Sequence, residues 1–253
     1  MRFAGTLAAV VSSVSLATAH GIVDTIWGGG QVWSGKAPWQ DVYSPGWSAE
    51  NNDYGYVWDV KNVNMTCHRG AKPGTQFIPL AAGSNVKLHW SGEWPHPGPV
   101  LSYLARCPGS CTNVNPNDLK FFKIAHSGLL KNPNASSTDL YWAANKVRDN
   151  QNNAVVKIPT NIKAGNYVLR HEIIALHSAF NETGVQFYPQ CVNLKINGGG
   201  DLQPTGIPAT QLYGQRDPGI LINIYWPIPT SYAIPGPKIA AGLQFKQKKK
   251  FMA

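Results

Sequence analysis

Seven histidines are the residues of this chain best suited to chemistry: His20, His68, His89, His96, His126, His171 and His177. The run His171-Glu172-Ile173-Ile174-Ala175-Leu176-His177 sets two of them six residues apart. A zinc-protease helix needs histidines at i and i+4. On a straight strand rising ~3.3 Å per residue this pair would share a face yet stand roughly 20 Å apart. That geometry excludes a shared metal. A serine hydrolase would need a G-x-S-x-G elbow, and the sequence has none. A glycosidase needs two carboxylates facing a sugar. Glu93, Glu172 and Glu182 are available, but no spacing selects a pair, so that alternative stays open.

His20 differs because of what precedes it. Arg2 is a short positive start, residues 4–16 are apolar or small, and Ala17-Thr18-Ala19 is a small-x-small cleavage site. The apolar run is shorter than the ~20 residues that span a bilayer. No other stretch reaches that length. The sequence thus predicts a signal peptide over 1–19 and a secreted, soluble chain starting at His20, with no membrane partner. A free α-amine, with a pKa of about 8, can lose its proton to a metal near neutral pH. Together with its own imidazole it can chelate one ion, and a second imidazole would complete three nitrogens in a T. Equatorial nitrogens with weak axial positions suit Cu(II).

The elements that must hold such groups read as short strands. The chain has 253 residues, long enough for one large domain. Only 14% are charged, while Gly (25), Pro (19), Trp (9) and Tyr (10) are abundant. This excludes a coiled coil and a charged disordered chain, and suits an all-β fold with many turns. The formal charge is +9, but Lys246, Lys248, Lys249 and Lys250 crowd the last residues. With no helical basic stripe, a solvated basic tail is favoured over a nucleic-acid surface. Strand-like runs fall at 86–90, 100–105, 154–158, 167–176, 191–196 and 220–225. Residues 138–147 could hold a short helix, and residues 26–58 read as long loops. Many short strands in one domain imply a sandwich or barrel.

Four cysteines in an exported chain suggest two disulfides, with three connectivities. Cys107 and Cys111 are close enough for a local bridge over Pro108-Gly109-Ser110, which would leave Cys67 for Cys191. In the chain-entropy model the long loop contributes roughly 4–5 kcal/mol and the short one about 2 kcal/mol. Sequons at Asn64, Asn134 and Asn181 are candidate glycosylation sites.

Five ordered motifs carry a resemblance: His20-Gly21 after Ala19; residues 96–107, beginning His96-Pro97-Gly98-Pro99; residues 165–177, ending at His177; residues 184–191, with Gln186, Tyr188 and Cys191; and Asp217-Pro218-Gly219 with Ile234-Pro235-Gly236-Pro237. Together they resemble a fungal lytic polysaccharide monooxygenase of auxiliary activity family nine, formerly glycoside hydrolase family sixty-one. The resemblance runs from His20 to about Pro237. It implies an immunoglobulin/fibronectin-III-like β-sandwich over 20–237 with long loops and at most short helices; beyond the resemblance, the lysine-rich composition predicts a basic, disordered tail over 238–253. One copper ion would be held by His20 and His96, with Tyr188 axial. His177 and Gln186 would position dioxygen or hydrogen peroxide. Gln186 and Tyr188, at i and i+2, would share one face of a strand.

The Cys67–Cys191 pair matches the family's long disulfide. Tyr232, ahead of Ile-Pro-Gly-Pro, would contact substrate. Cellulose or a related β-1,4-glucan would be cleaved after C1 or C4 oxidation by a monomer. An external electron donor, a small reductant or a cellobiose dehydrogenase, would be required. His171 is expected to be structural.

Overall fold

In the computed structural model, residues 21–35, 43–92, 94, 96–134 and 139–245 are described. The expected signal peptide over 1–19, His20, Glu93 and the lysines from 246 onward lie outside them. Eleven strands form among the described residues: β1 (Val23–Gly28), β2 (Gln31–Ser34), β3 (Ile78–Ala81), β4 (Asn85–Trp90), β5 (Val100–Arg106), β6 (Phe121–Ser127), β7 (Leu129–Leu130), β8 (Tyr141–Trp142), β9 (Asn153–Lys157), β10 (Gly165–Ala175) and β11 (Gln186–Asn197). One helix, α1 (Ala143–Asp149), follows β8. The backbone N–H of Trp142 donates to Asn145 Oδ1, which caps α1. Gln151 and Asn152 take positive φ beyond its last turn. The fold is the expected all-β sandwich with long loops.

One sheet runs β2-β1-β4-β9 and the other β3-β11-β10-β5-β6; β7 and β8 make a separate ribbon. All pairings are antiparallel except β3 with β11. Alternation explains the layers. In β4, Val86, Leu88 and Trp90 point inward to the core between the sheets, while Asn85, Lys87 and His89 point away from it. β10 and β11 are buried on both faces. Leu169, Ile173 and Tyr188 enter that inter-sheet core, whereas Val168, Ile174 and Phe187 enter a second core under the covering loops. Both expected disulfides form: Cys67–Cys191 ties those loops to β11, and Cys107–Cys111 closes the turn after β5.

Three expectations are corrected. Residues 26–58 are not all loop, since a hairpin turning at Gly29-Gly30 joins β1 to β2. Residues 220–225 form no strand; Ile220 and Leu221 donate back to the Asp217 carbonyl in turns. The chain does not leave the body at Pro237. Ile239 pairs beside Lys123, and Ala240 and Leu243 pack on the inter-sheet core. Asn161 Nδ2 then holds the Gly242 carbonyl.

Candidate functional site

The candidate site forms where β10 ends and β11 begins. Their antiparallel register places Ala175 opposite Gln186 and Ile173 opposite Tyr188. Gln186 and Tyr188 share a face, and the Tyr188 hydroxyl donates to Gln186 Oε1 at 2.7 Å. Tyr188 is fully buried, and burial raises its pKa, so the phenol keeps its proton. His177 follows two residues after β10.

The lead-in to β5 runs alongside this end of β10. Ile174 N–H donates to the Pro99 carbonyl and Leu176 N–H to the Pro97 carbonyl. That ladder carries His96 onto His177, whose rings stack at 3.9 Å and 17°. Gly98 is what lets the strands come this close. A Cβ there would stand 1.9 Å from the Ile174 carbonyl oxygen.

Trp94, fully buried, fastens the group from beneath. It meets Tyr188 edge-on at 4.8 Å and His96 at 6.3 Å. The chain just after His20 reaches the same ring. A Cβ on Gly21 would lie 3.7 Å from Trp94 Cε3 and only 2.2 Å from the Ser91 carbonyl oxygen. Ile22 N–H donates to Ser91 Oγ and Val23 N–H to Gln190 Oε1, which pin the segment down. His20 itself lies outside the described residues. Among the described residues no three His, Cys, Asp or Glu side chains gather as a metal cluster. The groups that do converge are two imidazoles, a phenol and an amide. An amine and imidazole entering beside Trp94 would make this a nitrogen-rich set, which fits copper better than an oxygen-seeking cation.

The other sequence candidates sort by environment. His171 is buried, bonds Ser102 Oγ through Nδ1 at 3.0 Å, and is held neutral by burial, its pKa pushed down to about 3. Glu172 is fully buried, clamped by both terminal nitrogens of Arg170 at 2.6 and 3.0 Å and bonded by Tyr213. Glu182 pairs with Arg216 at the surface. Neither carboxylate is placed for paired acid–base work with the other groups of the site.

The sequon residues Asn134 and Asn181 are exposed, and Asn64 is half-buried. Tyr232 is half-buried: its hydroxyl donates to the Gly219 carbonyl at 2.6 Å and its ring meets Trp142 edge-on at 4.9 Å. Tyr43, Trp58, Phe180 and Phe245 are exposed aromatics, and so are Tyr225 (56%) and Trp226 (78%), which sequence reasoning missed. A groove of about 340 Å³ joins Pro97, next to His96, to Tyr225 and Ile228. The only sequence signal for them was the aromatic pair beside Pro227.

Comparison with known proteins matches the same elements. The model of Auxiliary Activity family 9 (formerly GH61) matches residues 20–232. AA9 family lytic polysaccharide monooxygenase F of Malbranchea cinnamomea is 43% identical over 247 residues, covering 96% of this chain and 100% of that protein. AA9 family lytic polysaccharide monooxygenase A of Thermoascus aurantiacus is 48% identical over 200 residues, covering 78% and 86%. The solved extended catalytic domain of H. jecorina LPMO9A superposes with a TM-score of 0.82 at 40% identity, covering 91% of this chain and 94% of that one. The chain therefore belongs to Auxiliary Activity family 9 and is a lytic polysaccharide monooxygenase.

Proposed function

We propose that this protein is a secreted, copper-dependent monooxygenase that cleaves cellulose or a related β-1,4-glucan after oxidation at C1 or C4. It would use dioxygen or hydrogen peroxide and an external electron donor. The observation that carries this reading is the convergence of His96, His177, Gln186 and Tyr188 beside the Gly21 segment. His20, through its amine and imidazole, His96 and Tyr188 would hold the metal. Copper held there supplies one-electron chemistry toward dioxygen or peroxide strong enough to attack a sugar C–H bond.

The chain's own residues do the rest. The Tyr188 hydroxyl is committed to Gln186 Oε1, which fixes the amide so that its NH2 group can donate toward an oxygen species. His177, held flat against His96, offers a ring nitrogen that can give or take a proton at the same place. Buried Trp94 and Tyr188 wall the site and keep water from the protein side. Tyr225 and Trp226 offer flat rings to sugar faces, with little entropy to lose on contact.

The test is incubation of copper-loaded protein with cellulose, with and without ascorbate, followed by product analysis. Oxidised chain ends that require the reductant are expected. Reducing ends formed without reductant would instead indicate a hydrolase. No products at all would leave a carbohydrate- or copper-binding protein of the same fold.

A further inference from the structure

A second cavity lies on the sandwich edge between β6 and β9, the outer strands of the two sheets, with α1 across it. Sheets pack about 10 Å apart, a gap that large side chains normally fill. Here Ala125, Ala143 and Ala154 stand on β6, α1 and β9, and the space between them stays open at about 530 Å³. That falls within the roughly 300–1,000 Å³ typical of small-molecule sites.

The cavity is apolar along its walls but not throughout. Ser102 and His171, opposite each other on β5 and β10, line it and bond at 3.0 Å. His171 is 1% exposed, and its Nε2 is buried without a hydrogen-bond partner. Asn153, also in the lining, has a buried Oδ1 in the same condition, while its NH2 donates to the Asn150 and Gln151 carbonyls. Bare buried polar atoms cost stability unless something bonds them. Lys146 and Asn150, both exposed, stand in the lining toward solvent.

We propose that this cavity binds a single-ring phenol carrying a short acidic tail. A neutral His171 rejects a carboxylate inside, because an unpaired buried anion is costly. A hydroxyl suits it, because it can donate or accept and so satisfies either imidazole tautomer. A flat ring suits a slot between two sheets walled by alanine methyls. The tail carboxylate then meets the Lys146 ammonium at the mouth. The site is separate from the groups around His96 and does not depend on copper.

The experiment is titration of the metal-free, EDTA-treated protein with 4-hydroxycinnamate, read by histidine-selective 15N NMR and by calorimetry. Saturable one-to-one binding that moves the His171 ring nitrogens and leaves those of His68 in place is expected. Cinnamate, lacking the hydroxyl, should bind about three- to tenfold more weakly, the range of one hydrogen bond. Lys146→Ala should weaken 4-hydroxycinnamate and leave 4-methylphenol unchanged. Ala125→Phe, at a half-buried position, should fill the slot and abolish binding. Equal binding of cinnamate and 4-hydroxycinnamate, or a His171 signal that does not move in the wild-type protein, would overturn the proposal even if Ala125→Phe failed to fold.

Discussion

Two tyrosines and a tryptophan show how much depends on which way one side chain faces. Tyr232 sits in a motif and Tyr225 and Trp226 do not, yet the motif residue is packed on Trp142 and the others face solvent. The late segment is irregular, so no periodicity assigns a side to any ring. Trp226→Ala should therefore weaken pull-down by insoluble cellulose by about 0.5–1.5 kcal/mol, the value of one aromatic contact, with copper affinity unchanged. Tyr232→Phe should leave pull-down as it is. If the two variants exchanged these effects, the sugar-facing surface would have to move to the Gly219 side. His96, His177, Gln186 and Tyr188 were legible because ordered motifs carried them. Trp94, which touches two of them, was not. It lies in a short irregular loop where neither a period of 2 nor one of 3.6 marks a buried residue.

At the level of the element, strand pairing sets the site's geometry and glycine permits the pairing. The lead-in to β5 reaches β10 only because Gly98 presents no Cβ to the Ile174 carbonyl. Gly98→Ala should push that segment away and carry His96 off the His177 ring. Loss of most copper affinity is expected, with a folded far-UV spectrum retained, and isothermal titration checks it. Wild-type affinity would mean that the backbone absorbs the methyl group elsewhere. Strands β4, β5, β9, β10 and β11 were readable from alternation or apolar runs. β3 was not, because Ile78–Ala81 is short and contains a proline. β1 and β2 were hidden in a stretch rich in glycine and tryptophan, although Gly29-Gly30 between them is a hairpin signal.

Over the whole molecule, buried neutral histidines tie stability to pH. Burial, with Arg69 alongside, lowers the His68 pKa to about 4, and burial beside Arg170 lowers that of His171 to about 3. In the unfolded chain both titrate near the ordinary value of about 6.5. Below about 6.5 the unfolded chain takes up protons that the folded one refuses, so stability falls as pH drops toward 4. Urea melts in EDTA should show this loss. His68→Asn should make it shallower: an asparagine oxygen can accept the Arg69 N–H as His68 Nδ1 does, and asparagine tolerates the positive φ. Superimposable profiles for the two proteins would remove His68 as a source.

The parallel pairing of β3 with Leu194–Asn197 has a bearing on how the chain is made. More than a hundred residues separate the partners, and at about 5–20 residues per second the ribosome needs several seconds to deliver the second one. Until then one edge of the five-stranded sheet has no neighbour. Cys67 also waits for Cys191, while Cys107 and Cys111 emerge earlier and close on each other. That local bridge takes two thiols out of reach of Cys67 during the interval. With those two closed on each other, Cys191 is the one thiol of the sequence left for Cys67.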